Sequence, residues 1–146
     1  MIIENPRKYG DASYNIVVIH GGPGAPGEMA PVAEKLSSDY GVIEPFQTED
    51  SIKGQVEELK SILDENSSKP VNLIGWSWGA WLAFIFTAKY PQYVKKLILV
   101  GSGPFEENYT SEIMKTRFSR LTEDEKVKLN SLMESLNNPS SKNKVT

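Results

Sequence analysis

The sequence predicts an α/β fold, a parallel sheet with helices on both faces followed by the start of a helical cap, and three observations carry that expectation. Short apolar runs rich in β-branched residues recur at 16–19, 42–43, 71–74 and 97–100. Between them, apolar residues fall three and four apart, the repeat of a helix with one buried side. After Pro104 no further run of this kind occurs and the spacing stays helical. Strands alternating with helices imply right-handed crossovers, and so parallel strands covered on both faces.

Taken in order, residues 16–19 (Ile-Val-Val-Ile) are bounded by Asn15 and a Gly/Pro cluster, which suits a strand buried on both faces. Met29, Val32, Leu36 and Tyr40 then mark a helix that Gly41 is expected to stop. Val42 and Ile43 form a second strand, and Ile52, Val56, Leu59 and Leu63 give one face of a second helix. A third strand follows Pro70. The helix from about Gly79 is apolar nearly all round (Ala80, Trp81, Leu82, Ala83, Phe84, Ile85, Phe86), so it is expected to be buried. It stops before Pro91, and residues 97–100 make the fourth strand. Beyond it, Ile113, Met114, Phe118 and Leu121 indicate one helix; a capping box at Thr122–Glu125 opens another, with Leu129, Leu132, Met133 and Leu136 on its face. Residues 137–146 are polar and expected to fray. The division expected is 1–104 for the sheet domain and 105–146 for the helical, cap-like segment with its tail.

Composition narrows the function classes. The chain of 146 residues carries a net charge of -3 with both signs interspersed, so neither nucleic acid nor an anionic membrane surface is an expected partner. There is no cysteine, which rules out disulfides and thiolate chemistry and fits a reducing compartment; the cytoplasm is the expected location. Neither a signal peptide nor a membrane span is expected, because no basic segment precedes a long apolar one. One histidine and scattered carboxylates do not suggest a metal site, and no cofactor is implied.

The chemistry is concentrated in two strings. Gly75-Trp76-Ser77-Trp78-Gly79 fits G-x-S-x-G between a strand and a helix. In that setting the serine occupies a strained turn, and the glycines let the backbones pack without a Cβ. His20-Gly21-Gly22-Pro23-Gly24 ends the first strong strand. Gly22 to Gly27 also reads formally as G-x-G-x-x-G, with Glu44 placed to hold a ribose. Against a dinucleotide site, Pro23 and Pro26 remove donors that a pyrophosphate would need, and the Trp-Ser-Trp elbow is left unexplained.

Together the two strings resemble the α/β-hydrolase superfamily, and most closely its branch of proline iminopeptidases and related serine hydrolases. The phrase from Lys89 to Ser102, leading from the nucleophile helix into the next strand, is similar to the same family, and the resemblance spans about residues 15–104. It implies Ser77 as nucleophile and an oxyanion hole made by the backbone N–H groups of Gly22 and Trp78. Gly21, Gly75 and Gly79 would support the turns, and Trp76 would wall the substrate pocket. The substrate implied is a small molecule or short peptide with an ester or amide carbonyl.

The family's order is Ser, then an acid, then His, whereas His20 precedes Ser77. His20 is therefore expected to steady the glycine turn. Glu106 and Glu107 are expected to be surface carboxylates, and no other acid or base of the triad is recognisable. A serine without a base is a weak nucleophile, so feeble activity is expected of this chain. The alternative is a non-catalytic α/β-hydrolase-like binding or structural domain. An apolar edge at residues 97–100, with no strand beside it, is expected to promote self-association.

Overall fold

A computed structural model describes residues 4–22 and 25–138 of the chain. Pro23 and Gly24 of the glycine-rich string, and all but the first two residues of the polar tail, lie outside the described residues. The chain divides into two units, residues 1–103 and 104–146.

The first unit is a sheet of five strands in the order β1-β3-β2-β4-β5. The strands are β1 (Arg7–Tyr9), β2 (Tyr14–Ile19), β3 (Gly41–Glu44), β4 (Val71–Trp76) and β5 (Val94–Val100). β2, β3, β4 and β5 are parallel, as the strand–helix alternation predicts. β1 pairs antiparallel with β3 at one edge, Arg7 opposite Glu44. The sequence reading misses β1 because three residues, Arg-Lys-Tyr, carry no apolar pattern, and an edge strand needs none.

Helices cover both faces. On one, α1 (Ala30–Leu36) lays Ala33, together with Met29 just before it, on Ile16, Val18 and Val42. On the other, α2 (Ile52–Asn66) and α3 (Trp78–Lys89) enclose Val17, Ile19, Ile43, Val71 and Leu73. Alternate residues of β2 thus serve opposite cores, the period-two rule of a strand buried on both sides. α1 is shorter than its spacing predicts. It ends at Leu36, Tyr40 is exposed, and Gly41 opens β3 in place of ending a helix. A side chain at Gly41 would collide with the backbone carbonyls of Asp11 and Ser13.

Two helix faces also differ from expectation. In α2 the buried side is Gln55, Val56, Leu59, Ile62 and Leu63, while Ile52 points to solvent. In α3, Gly79, Ala80, Leu82, Ala83 and Phe86 are buried but Phe84 is 45% exposed, so this apolar helix covers the sheet with one side only. β5 forms the other sheet edge. Ile98, Leu99 and Val100 are exposed there, on both of its faces.

The second unit holds α4 (Asn108–Ser119) and α5 (Glu123–Asn137), neither of which buries a residue. α5 opens with the expected capping box. Thr122 Oγ1 accepts from Glu125 N–H, and the Glu125 carboxylate accepts from Thr122 N–H at 2.8 Å. Among the described residues, no helix is long and apolar enough to cross a membrane.

Candidate active site

Parallel neighbours end on the same side of a sheet, so the loops after β2, β4 and β5 meet at one rim. The loop after β4 is a single residue, Ser77, with φ 54° and ψ −116°. Among the described residues it is the one non-glycine with positive φ. Such a conformation costs on the order of 1–3 kcal/mol and persists only where the surroundings hold it. They do so here from both sides. Ser77 N–H donates to Val100 O at the end of β5 (2.9 Å), and Ser77 O accepts from Ala80 N–H in the first turn of α3 (3.1 Å).

The flanking glycines are required by space. A Cβ on Gly75 would run into the Gly79 carbonyl, and one on Gly79 would lie 2.5 Å from the carbonyl oxygens of both Ile19 and His20. β4, α3 and the end of β2 therefore touch backbone to backbone at the elbow. Ser77 is half-buried and, with Trp78, Trp81 and Gly103, lines a hollow of about 230 Å³. The two indoles meet edge to face, with centroids 5.9 Å apart. Trp76 points elsewhere. It lines a separate, mostly apolar hollow of about 400 Å³ with Met29, Val32, Ile74 and Val100, and Glu28 at its margin.

The loop after β2 comes against the elbow. A Cβ on Gly21 would stand 3.1 Å from Ser77 Cβ and 3.0 Å from Trp76 Cδ1. Gly21 N–H is already bonded to Glu28 Oε2 (3.0 Å), and Ser77 N–H to Val100. The next N–H along each segment, of Gly22 and of Trp78, is accepted by no described residue. Gly22 has φ 33° with open space on its Cβ side, and Trp78 is the first residue of α3, where an N–H has no intrahelical acceptor.

His20 is fully buried. Its Nε2 accepts from Gln47 N–H (3.3 Å), which puts the ring proton on Nδ1, and that donates to Gly21 O (2.8 Å). Both nitrogens are committed to backbone, so this imidazole braces the loop. Gln47 also donates to His20 O (3.0 Å). Buried Gln55 accepts from the Trp78 indole N–H (3.0 Å) and donates to Glu49 O (2.9 Å). Glu58 takes the backbone N–H of Thr48. The loop after β3 is thus stitched beneath the elbow by three side chains that sequence reasoning passed over. Gln55 did leave a signal: a polar residue one turn before Leu59, on the face that packs.

Glu44 is not free to hold a ribose. It is fully buried, accepting from Met29 N–H (3.1 Å) and Tyr9 Oη–H (2.9 Å). Burial, then the Glu44 carboxylate, push the Tyr9 hydroxyl above its usual range. Glu106 and Glu107 are exposed. Among the described residues no three metal-ligating side chains cluster.

A family model described as the alpha/beta hydrolase fold matches residues 14–131. The chain belongs to the α/β-hydrolase family. A solved thioesterase domain from the curacin biosynthetic pathway superposes with a TM-score of 0.61 at 25% identity, over 75% of this chain and 46% of that one. Curated relatives match shorter stretches. The serine hydrolase BPHL of Mus musculus is 40% identical over 45 residues, 31% of this chain and 16% of that protein. A cis-3-alkyl-4-alkyloxetan-2-one decarboxylase of Shewanella oneidensis is 27% identical over 56 residues, 38% of this chain and 18% of that one. The matches therefore span less than half of the length of each of these proteins.

Proposed function

We propose that this chain carries the nucleophile half of a serine hydrolase site acting on an ester or peptide carbonyl. In this reading Ser77 Oγ attacks the carbonyl carbon, and the oxygen that becomes negative is received by the N–H groups of Gly22 and Trp78. The observation that carries it is the pattern of backbone donors at the elbow. The N–H groups of Gly21 and Ser77 are both taken, while those of Gly22 and Trp78 are accepted by no described residue. Each donor of this kind contributes about 2.7–4 kcal/mol to a transition state. The hollow beside Ser77, walled by Trp78 and Trp81, would receive an apolar acyl or side-chain group. The H-G-G-P-G and G-W-S-W-G strings favour the proline iminopeptidase-like branch, hence an aminopeptidase or esterase.

The proton leaving Ser77 needs a base. His20 is the chain's one histidine and both its nitrogens are bonded to backbone. The base and its orienting acid would then come from polypeptide outside these 146 residues. The same observation favours a second reading, a non-catalytic domain that keeps the elbow for folding or binding. Hydrolysis of p-nitrophenyl acetate separates the two: the first reading expects slow turnover that disappears in Ser77→Ala, the second expects the two proteins to be equal. An amino-terminal proline anilide against short acyl esters, tested on a polypeptide that includes an acid and histidine, distinguishes aminopeptidase from esterase.

A further inference from the structure

Glu28 is exposed, has no described lysine or arginine bonded to it, and directs both carboxylate oxygens at N–H groups of the rim. Oε2 accepts from Gly21 N–H at 3.0 Å and Oε1 from the Trp76 indole N–H at 3.2 Å. The two donors belong to different segments, the loop after β2 and the last residue of β4, and are 55 positions apart in sequence, 21 to 76. A Cβ built on Gly21 would be 2.7 Å from Glu28 Oε2 and 3.1 Å from Ser77 Cβ, which places that carboxylate oxygen within 5.8 Å of Ser77 Cβ. The loop is therefore held against the elbow by a charge-assisted bridge at the point of closest approach.

We propose that Glu28 is a positioning residue of the Ser77 site, bridging Gly21 N–H and the Trp76 indole so that the Gly22 N–H is fixed relative to Ser77. The inference rests on the serine hydrolase reading given above. By occupying Gly21 N–H, Glu28 leaves Gly22 as the next donor in the loop, since Pro23 has no N–H. Gly22 itself has positive φ and no described neighbour within 4 Å of its Cβ position, and its one backbone bond among the described residues is at its carbonyl, which accepts from Ala25 N–H (3.2 Å). An oxyanion donor displaced by about 1 Å loses much of its effect.

The test is an equilibrium one, because it must not depend on the missing base. Phenylboronic acid adds to a serine hydroxyl, whose proton passes to the solvent buffer, to give a tetrahedral anion, and its dissociation constant is read at fixed pH from the amide spectrum of the 15N-labelled chain. Binding in Glu28→Ala is expected to weaken about tenfold, and in Glu28→Gln, which keeps one acceptor, by about threefold. The Trp76 indole and the Gly21 and Gly22 amide resonances should move in both variants, with the melting temperature nearly unchanged. If the indole and Gly21 resonances stay in place there is no bridge; if they move while Gly22 and boronate affinity do not, the bridge positions nothing. Either result overturns the proposal. Ser77→Ala separates this from the parent reading: should it bind boronate like the unmodified chain, the nucleophile assignment fails, and the Gly22 resonance alone decides for or against Glu28.

Discussion

His20 Nε2 lies 3.3 Å from the backbone nitrogen of Gln47, and that contact settles which way the ring is protonated. A neutral imidazole with its proton on Nδ1 satisfies Gly21 O on one side and Gln47 N–H on the other. The elbow's nearest histidine is thus part of its scaffold. His20→Ala should cost about 2–4 kcal/mol, from a buried ring lost and two backbone groups left unpaired. Any residual esterase rate, per folded molecule, should change little. Urea melts and p-nitrophenyl acetate turnover check both halves; a selective loss of rate with unchanged stability would make His20 a catalytic group after all.

The contacts around Gly79 predict a steep response to the smallest possible side chain. Gly79→Ala puts a methyl 2.5 Å from the Ile19 and His20 carbonyls, and should destabilise by about 1–3 kcal/mol or more through forced separation of β2 and α3. Gly22→Ala meets no such wall and bears only the strain of a side chain at φ 33°, about 1 kcal/mol. Thermal melts of the two variants should therefore rank Gly79→Ala well below Gly22→Ala.

How far the sequence discloses this arrangement depends on what kind of force fixes each part. β2, β4 and the elbow are legible because β-branched runs and glycines answer directly to burial and to backbone approach. β1 is not, since its pairing with β3 rests on backbone hydrogen bonds that leave no side-chain pattern. The end of α1 is misplaced because Tyr40 continues the helical spacing while its side chain sits in solvent. At the site, Ser77, His20 and the glycines stand out in the two strings, whereas Glu28, Gln47 and Gln55 bind partners up to 48 positions away. Only the folded chain brings those pairs together.

We propose that the exposed edge of β5 drives self-association. Ile98, Leu99 and Val100 are 36–43% exposed on a strand that, among the described residues, has no neighbour on one side. Sedimentation velocity should show mass rising with concentration, and Leu99→Lys should restore a monomer by placing a charge on the edge. A cooperative monomer at high concentration in the unmodified chain would remove this expectation.

Acid should loosen the junction between α2 and the turn at Pro91–Tyr93. Hydrogen bonds from Lys60, then Lys69 and Tyr93, hold the Asp64 carboxyl well below its usual range. A carboxyl depressed on folding contributes stability that is present above its unfolded pKa, about 3.9, and is lost as pH falls toward the folded value. The unmodified chain should lose more stability between pH 5 and pH 2 than Asp64→Asn, with the difference shrinking in high salt because the group is exposed. Equal pH slopes in urea titrations would contradict this.

In the proposed serine hydrolase reading, Ser77 is aimed but not activated. The most direct measurement is its rate of modification by a fluorophosphonate, followed by mass spectrometry with the modified residue mapped. A strained elbow with two N–H groups that no described residue accepts, and with the histidine bonded to backbone on both nitrogens, predicts slow labelling, confined to Ser77 and absent from Ser77→Ala. Oxyanion hole and binding alone sustain only about 10³–10⁴-fold catalysis over water when the triad is broken. Rapid, stoichiometric labelling of Ser77 in the 146-residue chain, or labelling spread over other serines at the same rate, would contradict it.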